Sequence, residues 1–132
     1  MMTFEVRSFV ETDYAMYRRW LSSRGRIAVP YKSLPTHGVM VECNNTPVCA
    51  GFIYQMDSPI CSIGSMASDI GQNKDIRSAA VEKMIDHLII DAKELGYTMT
   101  VVTTDKNKLL DRLYKRGFEK FDENLVQVGR AL

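Results

Sequence analysis

The sequence has few cysteines and no paired cysteine motif. Cys43, Cys49 and Cys61 are odd in number and show no CxxC spacing. Neither a zinc site nor a disulfide framework is therefore indicated, and we expect buried free thiols and no bound metal. The exception is Cys43 with Cys49, which flank a turn-rich stretch and could face each other across a hairpin.

The chain also lacks an excess charge of one sign and any long apolar run. Its 17 basic and 16 acidic residues give a net charge of +1, which does not favour a nucleic-acid or anionic-membrane partner. Residues 1–13 lack the basic flank and apolar stretch of a signal peptide, and no segment approaches the roughly 20 apolar residues of a membrane span. We expect a cytoplasmic protein.

The length of 132 residues, 45% of them hydrophobic, suffices for one core, so we expect a single domain over residues 1–132.

The first half has mainly strand patterns. Alternating or β-rich runs predict strands, and one apolar stripe capped by Thr12 or Asp13 predicts a helix that ends at about Ser22. The predicted strands cover 4–9, 39–43, 48–56 and 60–66, and a turn-rich spacer at 44–47 makes the second and third a hairpin.

The second half changes to helical periodicity. A stripe of apolar residues predicts a long helix over 76–95, followed by a β-branched strand over 98–104. A helix between two strands implies that the strands pair in parallel. A further helix over 106–116 ends at Gly117, and 121–128 is predicted to form a last strand.

One segment has a specific pattern. Residues 107–118 contain Asn107, then Leu113-Tyr114, two further residues and Gly117-Phe118. Together with the order of elements, this segment resembles the GNAT superfamily of acyl-CoA N-acyltransferases. The resemblance implies an α/β (α+β) GNAT fold, in which a mixed, mostly antiparallel sheet of about six strands carries helices on both faces.

The resemblance also implies a donor and a proton transfer. Acetyl-CoA would be the acyl donor, and Tyr114 would give a proton to the leaving thiolate. Asn107 would bind the pantetheine arm. From the residues alone, Tyr114 could equally pack its ring against the sheet, and Asn107 or Asp105 could cap the helix.

The family binds the coenzyme A pyrophosphate in a loop at the start of the long helix, where free backbone NH groups and the helix dipole favour anions. The matching residues here are Gln72, Asn73, Lys74, Asp75, Ile76 and Arg77. Gln72 fits the family pattern, whereas Asp75 and Arg77 replace small residues. Lys74 and Arg77 could compensate the charge of Asp75, and Asp75 could instead cap the helix.

The resemblance further implies a gap between the fourth and fifth strands, from Ser65 to Asp69, that receives the pantetheine arm. Met66 and Ala67 would lie along it, and backbone NH groups near Ala67 would polarise the thioester carbonyl. Asp69, Asp57 and Glu42 are candidates by position for a general base, although a solvated surface charge is the favoured interpretation of each.

Three other features are open to more than one interpretation. The run from Arg18 to Lys32 holds five basic residues and no acidic one, so it could attract an acidic substrate or be a solvated surface. His37 precedes the second strand without a recognisable partner, and His87 is expected to face solvent. Ile90 lies off the apolar stripe of the long helix, which weakly indicates a homodimer face.

The sequence therefore favours an N-acyltransferase, with a small molecule or a protein amine as acceptor. The alternative is a GNAT-like binding module that has lost coenzyme A binding and contacts a protein or another ligand. The residues of the loop at 72–77 separate the two. A nucleic-acid-binding domain ranks low, because the net charge of the chain is close to zero.

Overall fold

One five-stranded sheet carries the fold, and its strands lie side by side in chain order. The computed structural model of the chain describes residues 1–132. The strands are β1 (Phe4–Ser8), β2 (His37–Cys43), β3 (Thr46–Tyr54), β4 (Ile60–Ser68) and β5 (Met99–Val101). Neighbouring strands from β1 to β4 are antiparallel, and β5 pairs with β4 in parallel, as the predicted crossover requires.

Three helices cover the two faces of this sheet. They are α1 (Tyr14–Ser22), α2 (Lys74–Glu94) and α3 (Asn107–Tyr114), and short 3-10 turns lie at Glu11–Asp13 and Tyr31–Ser33. Buried residues of α1 and of α2 belong to separate hydrophobic clusters on opposite faces. The predicted mixed sheet with helices on both faces is confirmed.

The hairpin between β2 and β3 turns on two residues rather than the four expected. Asn44 and Asn45 have φ values of 50° and 68°, the left-handed conformation that a tight turn between twisted strands needs. In the resulting register Cys43 faces Thr46 and Cys49 faces Val41, so the two thiols are not opposite each other. All three cysteines are buried and free, and burial raises the pKa of Cys49 to about 12.

The larger cluster lies between the sheet and α2. It includes Met84, Ile85 and Leu88, which are at most 1% exposed. Full burial of each such side chain contributes roughly 1.5–3 kcal/mol. On the opposite face, the rings of Phe9, Tyr17 and Phe52 meet edge to face.

The predicted last strand over 121–128 is wrong, so the sheet has five strands rather than six. Residues 119–132 have no regular secondary structure, and all of them are exposed. Phe121, Leu125, Val126 and Val128 do alternate in part with polar residues, but their side chains are 63–86% exposed. Asn124 adopts a φ of 58°, which interrupts an extended strand.

Ion pairs attach α3 to α2. Arg112 binds Glu82 at 3.2 Å, and Arg116 binds Glu82 and Asp86. The hydrogen bond from Arg116 lowers the pKa of Asp86. These contacts, with Leu113 buried beneath them, fix the position of α3 over the sheet face that α2 covers. None of the helices combines the length and apolar character that a membrane span requires.

Candidate functional site

A gap opens between the two parallel strands. β4 pairs with β5 only from Ile60 to Ser62, opposite Met99 to Val101. β5 then ends, whereas β4 continues to Ser68. The edge of β4 over residues 63–68 therefore has no strand partner on the β5 side. The gap predicted from Ser65 onward begins two residues earlier, at Ile63.

A bulge lies in β4 beside this gap. Phe52 pairs with Gly64 and Ala50 with Ala67, so Ser65 and Met66 together oppose the single residue between them, Gly51. Ser65 has a φ of 51°, which an L-residue rarely adopts. A bulge of this kind re-aims the backbone groups of its strand.

Two tyrosine hydroxyls bind Ser65. Tyr17 donates a hydrogen bond to its carbonyl oxygen at 2.7 Å, and Tyr54 is hydrogen-bonded to its Oγ. Burial raises the pKa of Tyr17 to about 12. Sequence reasoning placed Ser65 at the start of the gap but missed both tyrosines, because Tyr17 lies 48 residues from Ser65 and had the spacing of a core residue. No local signal marks the bulge.

The N-terminus of α2 follows the gap and is already partly occupied by the chain itself. The Asn73 side chain accepts hydrogen bonds from Asp75 N at 2.8 Å and Ile76 N at 3.3 Å, so Asn73 caps the helix and Asp75 does not. The Arg77 guanidinium donates to the carbonyl oxygens of Ile70 and Gln72. Asp75 is exposed and has no cationic partner.

We tested this terminus for its fit to a pyrophosphate. The backbone NH groups of Asn73 and Lys74 have no acceptor in the chain, and the Lys74 side chain is exposed beside them. Rotation of the Asn73 side chain alone would release the NH groups of Asp75 and Ile76. Four NH groups and one ammonium group suit a diphosphate, so the residues fit after one side-chain rearrangement.

The remaining residues predicted for the cofactor site lie on the gap or on α3. Met66 packs against the cluster beneath α2, while Ala67 belongs to the cluster beneath α1. Tyr114, the last residue of α3, is 42% exposed and makes no hydrogen bond through its hydroxyl. Asn107 is exposed, and the N-cap of α3 is Lys106, so the alternative in which Asn107 or Asp105 caps the helix is wrong.

The three carboxylates considered as general bases occupy different surroundings. Asp69 accepts a hydrogen bond from Gly71 N at 2.9 Å, directly after β4. Asp57 is exposed in the turn after β3. Glu42 lies in β2, two strands from β4, and binds Arg7 at 3.3 Å. Of the three, only Asp69 lies next to the gap in the chain.

His37 is not isolated, contrary to its appearance in the sequence. It is the first residue of β2, and its Nε2 lies 2.8 Å from Asp91 Oδ2 on α2. His87, which we expected to face solvent, has its Nε2 3.4 Å from the same oxygen. The three side chains line a polar cavity of about 370 Å³ on the β1–β2 side of the sheet, away from the β4–β5 gap.

Comparison with known proteins gives no relative by sequence. No protein-family model matches the chain. No curated protein matches it either. Similarity therefore rests on structure.

Several solved structures have the same arrangement of elements. A glucosamine-6-phosphate N-acetyltransferase from Arabidopsis thaliana superposes with a TM-score of 0.68 at 11% identity, covering 96% of this chain and 98% of that one. An N-acetylglutamate synthase from Neisseria gonorrhoeae, in complex with coenzyme A and N-acetyl-glutamate, superposes with a TM-score of 0.71 at 14% identity. The match covers 94% of this chain and 30% of that one. An aminoglycoside acetyltransferase from a soil metagenome, in complex with sisomicin, superposes with a TM-score of 0.62 at 15% identity. The match covers 99% of this chain and 96% of that one.

Likeness at this level of identity shows the fold alone. Two of the proteins named are acetyltransferases and the third is an N-acetylglutamate synthase, and each matches nearly all of the present chain. The fold expected from the segment at 107–118 and from the order of elements is therefore the one observed.

Proposed function

We propose that this chain, which has the GNAT fold, is an N-acetyltransferase that moves acetyl from acetyl-CoA to an amine. The observation that carries the proposal is the separation of β4 from β5 after Ser62, next to the N-terminus of α2. An extended thioester arm can lie along the unpaired edge of β4 while its diphosphate meets the helix terminus. Polar backbone groups exposed on such an edge need a partner.

We assign the cofactor-binding residues accordingly. Met66 and Ala67 would bind the pantetheine arm through their backbone, and Asn107 would bind it from α3. The residues from Gln72 to Arg77 would hold the diphosphate, with Lys74 as the cation. When bound, acetyl-CoA supplies an acetyl thioester that the acceptor amine attacks directly, with coenzyme A as the leaving group.

Tyr114 is our candidate proton donor. Its hydroxyl is exposed and has no partner, so it is free to meet a leaving thiolate. Tyr17 is unsuited to the same role. Its hydroxyl is committed to the Ser65 carbonyl, and its raised pKa makes it a weak acid. Tyr17 and Tyr54 instead position the bulge, and backbone NH groups near Ala67 would polarise the thioester carbonyl as oxyanion donors.

The acceptor belongs to a broad class. The names of the similar structures indicate three kinds of acetylated product. They are an acetylated amino sugar phosphate, an acetylated amino acid and an acetylated aminoglycoside. A primary amine is common to these acceptors. We therefore propose an amine acceptor for this chain as well.

A second function is favoured by one observation. Asn73 covers two NH groups of the anion site, and Asp75 adds an unpaired carboxylate beside them. A protein that no longer bound coenzyme A could keep both residues without cost. It would then be a binding module that uses the gap or the basic run for a protein or another ligand.

Calorimetric titration with acetyl-CoA and with coenzyme A separates the two functions. We expect micromolar binding by the native protein and tighter binding by Asp75→Gly, because the variant removes a negative charge beside the diphosphate. Asp57→Gly, which removes an exposed carboxylate elsewhere, is the matched control. Absence of binding by the native protein, with binding recovered in Asp75→Gly, would rule out the transferase and favour the binding module.

A further inference from the structure

We infer that the acceptor amine carries anionic groups, and that Arg24 and Arg26 of the basic segment (residues 18–32) recognise them. This inference rests on the proposed function and names its acceptor class. Four independent features of the segment support it: its unpaired charge, its place at the gap, its fixed backbone and its free hydrogen-bond donors.

The charge of the basic segment is not neutralised within the chain. All five of its cationic side chains are exposed, and none forms a salt bridge. They are Arg18, Arg19, Arg24, Arg26 and Lys32. No acidic residue occurs between Asp13 and Glu42. The arginines outside the segment that bind carboxylates, Arg7, Arg112 and Arg116, show that the chain pairs such groups where it needs them for structure.

The segment lies against the strand that forms the gap. Arg24 Nη2 donates a hydrogen bond to Ser68 Oγ at 3.0 Å, and Ser68 is the last residue of β4. Tyr17, directly before the segment, binds the Ser65 carbonyl in the bulge. Arg26 is close enough to Tyr17 that its charge acts to lower the pKa of that hydroxyl, against the larger effect of burial.

The backbone of the segment is held at several points. Arg26 N donates to Leu21 O at 2.9 Å, and Tyr14 Oη donates to Val29 O at 2.6 Å. The ring of Tyr31 also packs edge to face on the ring of Tyr14, with centroids 5.9 Å apart. A fixed backbone lowers the entropy lost when the arginine side chains order around a ligand.

The free donors match anions and disfavour cations. A guanidinium has five N–H donors in a planar fork, and Arg24 uses one of its groups on Ser68, which leaves donors for a carboxylate or a phosphate. Five unpaired positive charges in one segment, which Arg24 joins to the end of β4, repel a polycationic acceptor. An amine with a carboxylate or a phosphate is therefore the favoured substrate, and a polyamine is the disfavoured one.

Steady-state acetylation of a small amine panel tests this inference. The panel contains glutamate and aspartate, phosphoethanolamine, ethanolamine, which has no anionic group, and the polycationic spermidine. We expect kcat/KM to be at least tenfold higher for the carboxylated or phosphorylated amines, and to fall at least tenfold in Arg24→Gln and Arg26→Gln through KM. Arg24→Lys should recover part of this loss. Lys93→Gln, which removes an exposed cation at the far end of α2, should leave kcat/KM unchanged.

Calorimetry with coenzyme A and with each amine alone completes the test. If Arg24→Gln weakens coenzyme A binding and leaves the amine KM unchanged, the arginines bind the donor phosphates and the inference is wrong. Equal kcat/KM for spermidine and glutamate would also overturn it. If coenzyme A does not bind to the native protein but the anionic amines do, and Arg24→Gln abolishes that binding, the transferase fails while the anion site stands.

Discussion

Tyr17 and Tyr114 differ in burial, and the difference separates the roles proposed for them. Tyr17 is 2% exposed and its hydroxyl is bound to Ser65, whereas Tyr114 is 42% exposed and its hydroxyl is unbound. A proton donor must reach the leaving group, while a positioning residue must stay where it is. The exposed tyrosine is therefore the candidate donor and the buried one holds the bulge.

The Tyr114→Phe variant tests the first role. We expect kcat to fall about 10²-fold, the lower end of what a positioned proton donor supplies, with little change in coenzyme A affinity. Thiol release followed with a chromogenic disulfide measures the rate, and calorimetry measures the affinity. Tyr97→Phe, a tyrosine after α2 at the opposite end of the crossover, is the control. A normal rate in Tyr114→Phe would remove this hydroxyl from the mechanism.

Alkaline titration tests the second role. The neutral form of Tyr17 is favoured by burial, so its folded pKa of about 12 lies above the ordinary 10.0. The stability that this group contributes is complete below pH 10.0 and is lost as pH rises through about 12. Tyrosinate absorbance should therefore show one tyrosine that titrates later than the others. Tyr17→Phe should abolish that late step, and its persistence would contradict the assignment.

At the scale of elements, the N-terminus of α2 serves two competing purposes. The Asn73 side chain stabilises the helix by accepting hydrogen bonds from the backbone NH groups of Asp75 and Ile76. A diphosphate would bind the same two NH groups. A ligand that uses them must first displace the cap.

The Asn73→Ala variant follows from this competition. Loss of the cap should lower the free energy of unfolding by about 1 kcal/mol. Coenzyme A affinity should rise about fivefold, because the ligand no longer displaces the cap. Chemical denaturation and calorimetry measure the two effects. Asn73→Ser keeps a capping oxygen and should change neither, and a parallel loss of stability and affinity in Asn73→Ala would disprove the competition.

At the scale of the whole molecule, the chain divides into a packed body and a free C-terminal segment. Two hydrophobic clusters on opposite faces of the sheet hold residues from β1 to α3. Residues 119–132 are exposed throughout and make no backbone hydrogen bond. The stability of the fold should therefore not depend on that segment.

Deletion of residues 121–132 tests this division. We expect the free energy of unfolding to change by less than about 0.5 kcal/mol, since no buried contact is lost. Thermal and denaturant unfolding followed by the fluorescence of Trp20, the single tryptophan, measure it. Deletion from Phe118 onward is the contrasting variant, because Phe118 packs against the cluster beneath α2. A large loss in the shorter deletion would show that the segment contributes to the fold.

The sequence determined the fold because its signals are local and repeated. The apolar stripe of α2, the β-rich runs and the segment at 107–118 each specify an element by the spacing of its own residues. Their order then leaves few topologies, and the parallel pairing of β4 with β5 follows from the crossover. The segment at 121–128 misled us because alternation predicts a strand only where a neighbouring strand and a core accept its apolar face.

Tertiary structure alone decided the details of the site. The bulge at Ser65 depends on the register of β3 against β4, and the hydroxyls of Tyr17 and Tyr54 reach it from different elements. His37 meets Asp91 across 54 residues of chain. The choice of Asn73 as the cap, over Asp75, depends on the backbone conformation at the start of α2. Contacts between residues distant in the chain leave no periodic trace in the sequence, so only the folded chain shows which side chains meet.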